Sequence, residues 1–385
     1  MSADWELSRF RTGDRVEVRS EEEILATLDA SGRLEGMPFM PEMLAFCGKR
    51  ARVAAIAHKT CQTANTPCTG RRLSRTVHLE GARCDGSAHG GCDAACNLFW
   101  RDEWLRPVPA EGDGSSPSLR ADESAGRVEH GAPACTRERL FSATRRPPTE
   151  PDGRPRYSCQ ATELIEASEP LPWWDVRQYV RDVLTGNHGV GHVLRVLTVA
   201  AVRAARDRAP IGYRAFVWLH RLVHRLLLGR EDPTVVGRIP RGEPTPVRDL
   251  GLRPGQWVRI RSKEAIAETL DTAHKNRGLY FDEEEVPYCG SRARVTGRVE
   301  RILNEATGEM LEMKTPSVRL DGVVCRGEYS ECRLMCPRAI PSFWREAWLE
   351  PLDLRSLQET GLDQRIGRRA HLAEPEAGPV GDVQQ

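Results

Sequence analysis

The stretch GDRVEVRSEEEILATLD, beginning at Gly13, returns as GQWVRIRSKEAIAETLD at Gly255, 242 residues farther along. The register continues through Gly36 and Gly278, Phe39 and Phe281, and FCGKRARV with YCGSRARV. Beyond that, TVHLEGARC (Thr76 to Cys84) matches SVRLDGVVC (Ser317 to Cys325), and FWRDEWLRPV from Phe99 matches FWREAWLEPL from Phe343. A chain that carries one ordered pattern twice is constrained to build one small domain twice, each copy of about a hundred residues. With roughly 150 residues per domain as the general expectation, a chain of 385 residues leaves room for a third, unlike region.

Each copy reads as mostly β. Val16 and Val18 alternate with charged neighbours, as do Val258 and Ile260, the period of a half-buried strand. Ser20 and Ser262 then cap short helices, with Glu23 placed for a capping box in the first copy. Further strands are expected at Arg52–Ile56, Arg294–Val299 and the two TVHLEGARC-like segments, and the tryptophan-rich ends pack the last strand. Gly13-Asp14-x-Val16-x-Val18-Arg19, with Cys47-Gly48-Lys49 before Val53, resembles SH3-like barrels such as the nitrile hydratase β-subunit and the KOW modules of ribosomal proteins. The resemblance covers two strands per copy. It implies a fold and no activity, and no functional residue carries over from it. The expected class is α+β: two repeated SH3-like β-barrel domains, at 10–108 and 250–353, separated by a linker and a helical segment.

Residues 109–156 are rich in Pro, Gly, Ser, Glu and Arg without periodicity and read as a disordered linker; 367–385 read as a disordered tail. From 157 to 232 the pattern is helical, with breaks at Gly186–Gly191 and Pro210–Gly212.

Twelve cysteines supply the chemistry. Cys47, Cys84, Cys92 and Cys96 correspond to Cys289, Cys325, Cys332 and Cys336, so four thiols recur in one order in both copies. Cys92 and Cys96, like Cys332 and Cys336, are four apart and would face one way on a helical turn. Two such thiols and two from neighbouring strands can converge on a tetrahedral ion. Zinc fits that set, and an iron–sulfur cluster is the alternative. The bland reading is buried free cysteines or disulfides. The first copy adds His58, Cys61, Cys68, His78 and His89, residues suited to a second metal or to a reactive thiol, or else to an incidental loop. If chemistry occurs, Cys61 and His89 are the catalytic candidates.

In the helical segment, Trp173 and Trp174 read as packing anchors. His188 with His192, and His220 with His224, are spaced for metal or haem, yet they share faces with arginines and read as solvent-exposed. Ten arginines between Arg177 and Arg230 outnumber the five acids between Asp175 and Asp232, a pattern suited to peripheral membrane contact or to an acidic partner; packing as a hairpin between the copies is preferred.

A formal net charge of +1 and 6% aromatic residues leave little footprint for nucleic acid. Phosphate-loop, dinucleotide, HExxH and GxSxG motifs are absent from the sequence. The most apolar run, VLRVLTVAAV from Val193, contains Arg195 and is too short to span a membrane, and the start lacks an apolar signal core. The expectation is a cytoplasmic metal-binding protein, zinc first, acting as a binding or accessory module with another protein as partner. The alternative is a metal- or iron–sulfur-dependent enzyme of a bacterial biosynthetic pathway with its site in the first copy.

Overall fold

The computed structural model describes residues 5–63, 69–109, 134–149, 153–208, 213–228, 232–329 and 334–352. It is an α+β structure of small antiparallel sheets and short helices. Strand Arg15–Val18 buries Val16 and Val18 on one face, as its alternation requires. It pairs with Arg50–Ile56 on one side and with Leu105–Pro107 on the other, so Val16 lies between Ala51 and Pro107. Thr76–Leu79 and Trp100–Arg101 complete a five-stranded sheet. Helix α1 (Glu21–Leu25) follows the first strand and packs on the Asp102–Trp104 turn. Ser20 accepts the Glu23 N–H and the Glu23 carboxylate accepts the Ser20 N–H, the reciprocal cap expected from sequence. Beneath α1, Phe39 meets Trp100 and Trp104 edge-on, with centroids 6.2 and 5.1 Å away, and Trp104 Nε1 donates to Thr27 Oγ1 at 3.1 Å.

Helix α2 (Arg137–Ala143) lies within the stretch read as a linker. That reading fails for residues 134–149, because Thr136 caps α2 and Leu140 is buried in the first core. Residues 110–133, and the tail, lie outside the described residues. Helices α3 (Arg177–Leu184), α4 (Val190–Arg208) and α5 (Tyr213–Leu228) follow, broken where glycine and proline fall. Helix α3 is tied to the first sheet's flank by a buried pair: Lys59 Nζ lies 2.5 Å from Asp182 Oδ2, with His58 Nε2 3.4 Å from the other oxygen. Helices α4 and α5 pack on each other with polarity opposite to the sequence expectation. His220 and His224 are buried, while Trp218, Leu222 and Leu226 are exposed. The reason is the chemistry of what covers the hairpin: His224 stacks on Tyr329 with centroids 5.5 Å apart, and His220 Nδ1 lies 3.9 Å from Asp232. Trp173 and Trp174 are also exposed rather than anchored in a core.

The second five-stranded sheet has the strand order Pro341–Arg345, Ser317–Val324, Arg292–Arg298, Trp257–Ile260, Leu349–Pro351. Val258 lies between Ala293 and Pro351, and the two sheets share an equivalent bulge, between Val53 and Ala55 and between Val295 and Gly297, with a further register shift between Arg319 and Val324 in the second. Helix α6 (Lys263–Ala267) starts at Ser262, which accepts the Ala265 N–H. Phe281 meets Trp344 and Trp348 edge-on at 6.0 and 5.2 Å, and Trp348 Nε1 donates to Thr269 Oγ1 at 3.0 Å.

The two units interlock through hairpins. Arg301–Leu303 and Met310–Glu312 carry Leu303 and Met310 into the first unit's core. Lys59–Gln62 pairs with Thr69–Arg72, and Glu169–Pro170 adds a third strand. Thr63 Oγ1 donates to Glu305 Oε2 at 3.0 Å between the two hairpins, and Asp93 Oδ2 accepts the N–H groups of Glu300 and Arg301, each at 2.9 Å. No helix among the described residues is long and apolar enough to cross a membrane.

Candidate metal centre

The CDGSAHGGC segment, residues 84–92, folds back on itself as a tight loop. Gly86 has φ +74, and a Cβ there would stand 2.2 Å from the Cys92 carbonyl oxygen, so only glycine fits. The Gly86 carbonyl accepts the N–H groups of His89 and Gly91 at 3.2 and 2.9 Å, which turns the imidazole back toward Cys84. Cys84 itself follows the strand Thr76–Leu79 and is held by its N–H donating to Cys96 O at 2.9 Å. Cys92 and Cys96 flank a turn rather than sitting on an α-helix: Ala95 lies in the left-handed region at φ +49, as does Met335 before Cys336 at φ +54. The helical-turn geometry expected for C-x3-C is therefore replaced by a tighter reversal.

His89 Nδ1 lies 2.7 Å from Glu42 Oε1, and Nε2 lies 3.8 Å from Cys84 Sγ. Glu42, Cys84 and His89 each present one ligand atom within 4.8 Å of the others, the one such group among the described residues. Glu42 comes from the 3-10 turn Pro41–Phe46, and its Oε1 also accepts the Ala88 N–H at 3.0 Å. Its Oε2 is buried with no hydrogen-bond partner, a costly arrangement that a cation would relieve. Burial alone would depress His89, but hydrogen bonds with the sulfurs of Cys84 and Cys92 and with Glu42 outweigh it and raise its pKa. The imidazole is thus surrounded by groups that demand positive charge.

Beside this trio is a cavity of ≈ 40 Å³ whose walls include Cys84, Cys92, Cys96, Cys159 and His89. Burial pushes up the thiols of Cys96 and Cys159, with Cys84 adding to both. The volume accommodates a metal ion or a few water molecules. The donor set of thiols, imidazole and carboxylate suits zinc, whose bonds to sulfur and nitrogen are about 2.3 and about 2.0–2.1 Å. Cys159 and Glu42 were not legible as site residues in the sequence. Cys159 comes from outside the repeat, and Glu42 looks like one more solvated acid.

Other candidates lie elsewhere. Cys47 ends the 3-10 turn before Gly48, and burial together with Glu21 raises its pKa; Cys289 does the same before Gly290, beside Glu285. Neither lines the cavity beside Glu42, Cys84 and His89. On the second unit, a hydrogen bond from Cys61 lowers the Cys336 thiol against the effect of burial, and Cys325 lies close enough to oppose that lowering. Cys61 belongs to the first unit's hairpin, so this thiol group spans both units. Arg338 links the two groups: its buried guanidinium donates to Cys61 O at 3.0 Å and to Glu305 Oε1 at 2.6 Å, and the sulfurs of Cys61 and Cys96 help to raise its pKa. Cys68 and Cys332 lie outside the described residues. The ten described cysteines form no disulfide with one another.

The remaining histidines serve other purposes. His78 Nδ1 contacts Leu98 O at 2.8 Å, and burial brings it down to about 4. His58 contacts Gln178 O at 3.2 Å and falls to about 3 through burial and Lys59. His188 stacks on His192 at 4.9 Å and is brought down to about 4 by burial. Cys135 packs under α2 against Gly32. Comparison with family models, curated proteins and solved structures found no match.

Proposed function

We propose that this chain is a cytoplasmic metal-binding module, with zinc as the metal, in which two SH3-like units duplicated in tandem are stapled together by thiolate sites. The observation that carries the reading is the convergence of Glu42, Cys84 and His89 beside a cavity walled by further thiols. A binding or accessory role is favoured over catalysis by size: ≈ 40 Å³ admits an ion, whereas substrate pockets run to about 300 Å³ or more. Cys61, 1% exposed, also lacks the access that a reactive thiol needs.

Duplication is supported by the matching strand order and bulges of the two sheets. It is supported further by the contact between Thr63 and Glu305, which occupy equivalent positions 242 apart, as they would across a pseudo-twofold axis. On this reading the hairpins trade places. Leu303 reaches the first thiol group, and its counterpart Cys61 hydrogen-bonds the Cys336 thiol of the second unit.

Elemental analysis of protein purified without oxygen tests the proposal. About one zinc per chain is expected at this centre. Cys84→Ser should remove it, while Cys47→Ala should not. Protein that carries no metal and takes none up would overturn the reading. Iron with sulfide and a brown chromophore would move it to the redox alternative.

A further inference from the structure

Helix α5 exposes Trp218, Leu222 and Leu226 at i, i+4 and i+8, one continuous stripe, at 65%, 36% and 71% of their surfaces. Helix α4 exposes Val190 and Leu194 in the same spacing, and α3 exposes Val180 and Leu184. Trp173 and Trp174, just before α3, stand exposed and edge-to-face with centroids 6.0 Å apart. The opposite sides of these helices are already covered: Val193 and Val196 pack with Tyr179, Leu334 and Met335, and His220 and His224 are buried. The apolar stripes are what remains after the fold has used its own partners, and surfaces of that kind mark contact sites.

The charges around them select the occupant. Among the described side chains of α3, α4 and α5, the exposed charged ones are Arg177, Arg195, Arg221 and Arg225. Arg177 pairs with Asp175 and Arg221 with Asp232, Arg195 and Arg225 leave an excess of positive charge, and the acid of α3, Asp182, is buried against Lys59. A second copy would set arginine against arginine, whereas an anionic surface takes up both the charge and the apolar stripe. Tryptophan, leucine and arginine on one short helix, none of these helices being apolar or long enough to cross, is the composition of a helix that lies in the headgroup region. We infer that α3–α5 dock this chain on an anionic lipid bilayer, with Trp218, Leu222 and Leu226 entering the interface and Arg221 and Arg225 meeting the headgroups.

The full chain is mixed with vesicles of phosphatidylcholine alone, or of phosphatidylcholine and phosphatidylserine at roughly two to one, and binding is read by flotation and by the tryptophan emission shift. Partition about tenfold or more stronger on the anionic vesicles is expected, falling as salt is raised. Trp218→Gln with Leu226→Gln replaces exposed side chains, so circular dichroism should be unchanged, while partition and the blue shift are lost. Arg221→Gln with Arg225→Gln should remove the anionic preference. The inference is overturned by binding to neither vesicle, by binding that ignores the arginine substitutions, or by a dimer in sedimentation that the Trp218 and Leu226 substitutions dissociate.

Discussion

Replacing Asp182 by asparagine should strand the Lys59 ammonium in the contact between α3 and the first unit. Both side chains are buried and their charged atoms are 2.5 Å apart, so solvent offers no substitute partner. Removing one member of such a pair costs about 3–5 kcal/mol. The alternative is for Lys59 to shed its proton. At about 1.36 kcal/mol per pKa unit, neutralising a lysine at pH 7 against its ordinary value near 10.4 costs about 4–5 kcal/mol, so both routes give one magnitude. They are separable by pH. In the variant, folded Lys59 is held neutral while unfolded Lys59 keeps its proton to about pH 10, so the unfolded state binds more protons and stability rises with pH. Urea unfolding at pH 7 and about pH 9.5 should therefore show a deficit that shrinks at the higher pH, with the slope m unchanged. Lys59→Met combined with Asp182→Leu should recover most of the loss, because an apolar pair needs no counter-charge. A deficit below about 1 kcal/mol at pH 7 would refute the argument, since that is the value of a solvated pair.

The buried histidines set the acid limit. His78 and His188 are brought down to about 4 and His58 to about 3, so the unfolded chain takes up protons below about pH 6.5 that the folded chain refuses. Stability should fall as pH drops through that window, by up to roughly 3 kcal/mol for His78 alone, and His78→Asn should flatten the pH dependence of the thermal midpoint. Gly86→Ala should drive a Cβ into the Cys92 backbone and lower the metal content of the first site, with the second thiol group unaffected. Trp104→Ala and Trp348→Ala should each cost about 3–5 kcal/mol in denaturant unfolding, and a large inequality between them would argue against equivalent packing of the two units.

The strands were legible because Val16, Val18, Val258 and Ile260 alternate with charge, and period two has one structural meaning. Ser20 and Glu23 were legible because a cap is a local device. The ligand set was only half legible, for a reason visible in Cys47. It recurs as Cys289 because both residues end a 3-10 turn before a left-handed glycine, with ψ of 133° and 136°. The recurrence of this pair thus has a backbone explanation that needs no shared ligand. Cys159 carries no site reading in the sequence, and Cys61 reads there as a catalytic candidate of the first copy rather than a neighbour of Cys336, because each enters its thiol group from outside the unit that contributes the other sulfurs, and no spacing rule links such residues. The polarity of α5 was misread because an amphipathic pattern defines two faces without saying which is covered. Here Tyr329 and Asp232 select the histidines.

The sheet closures also prescribe an order of events during synthesis. Strand Arg15–Val18 lacks an edge partner until Leu105–Pro107 has left the ribosome, so the first unit cannot close while its N-terminal half is being made. Its thiol cavity waits longer, for Cys159, and then for Leu303 from the far hairpin. Cys61 waits longest, because Cys325 and Cys336 are translated only after most of the chain has emerged. A nascent chain thus carries unsatisfied thiols for much of its elongation. Truncation between Cys159 and the second unit would leave the first group its sulfurs but not its Leu303 wall, and would leave Cys61 without Cys325 and Cys336.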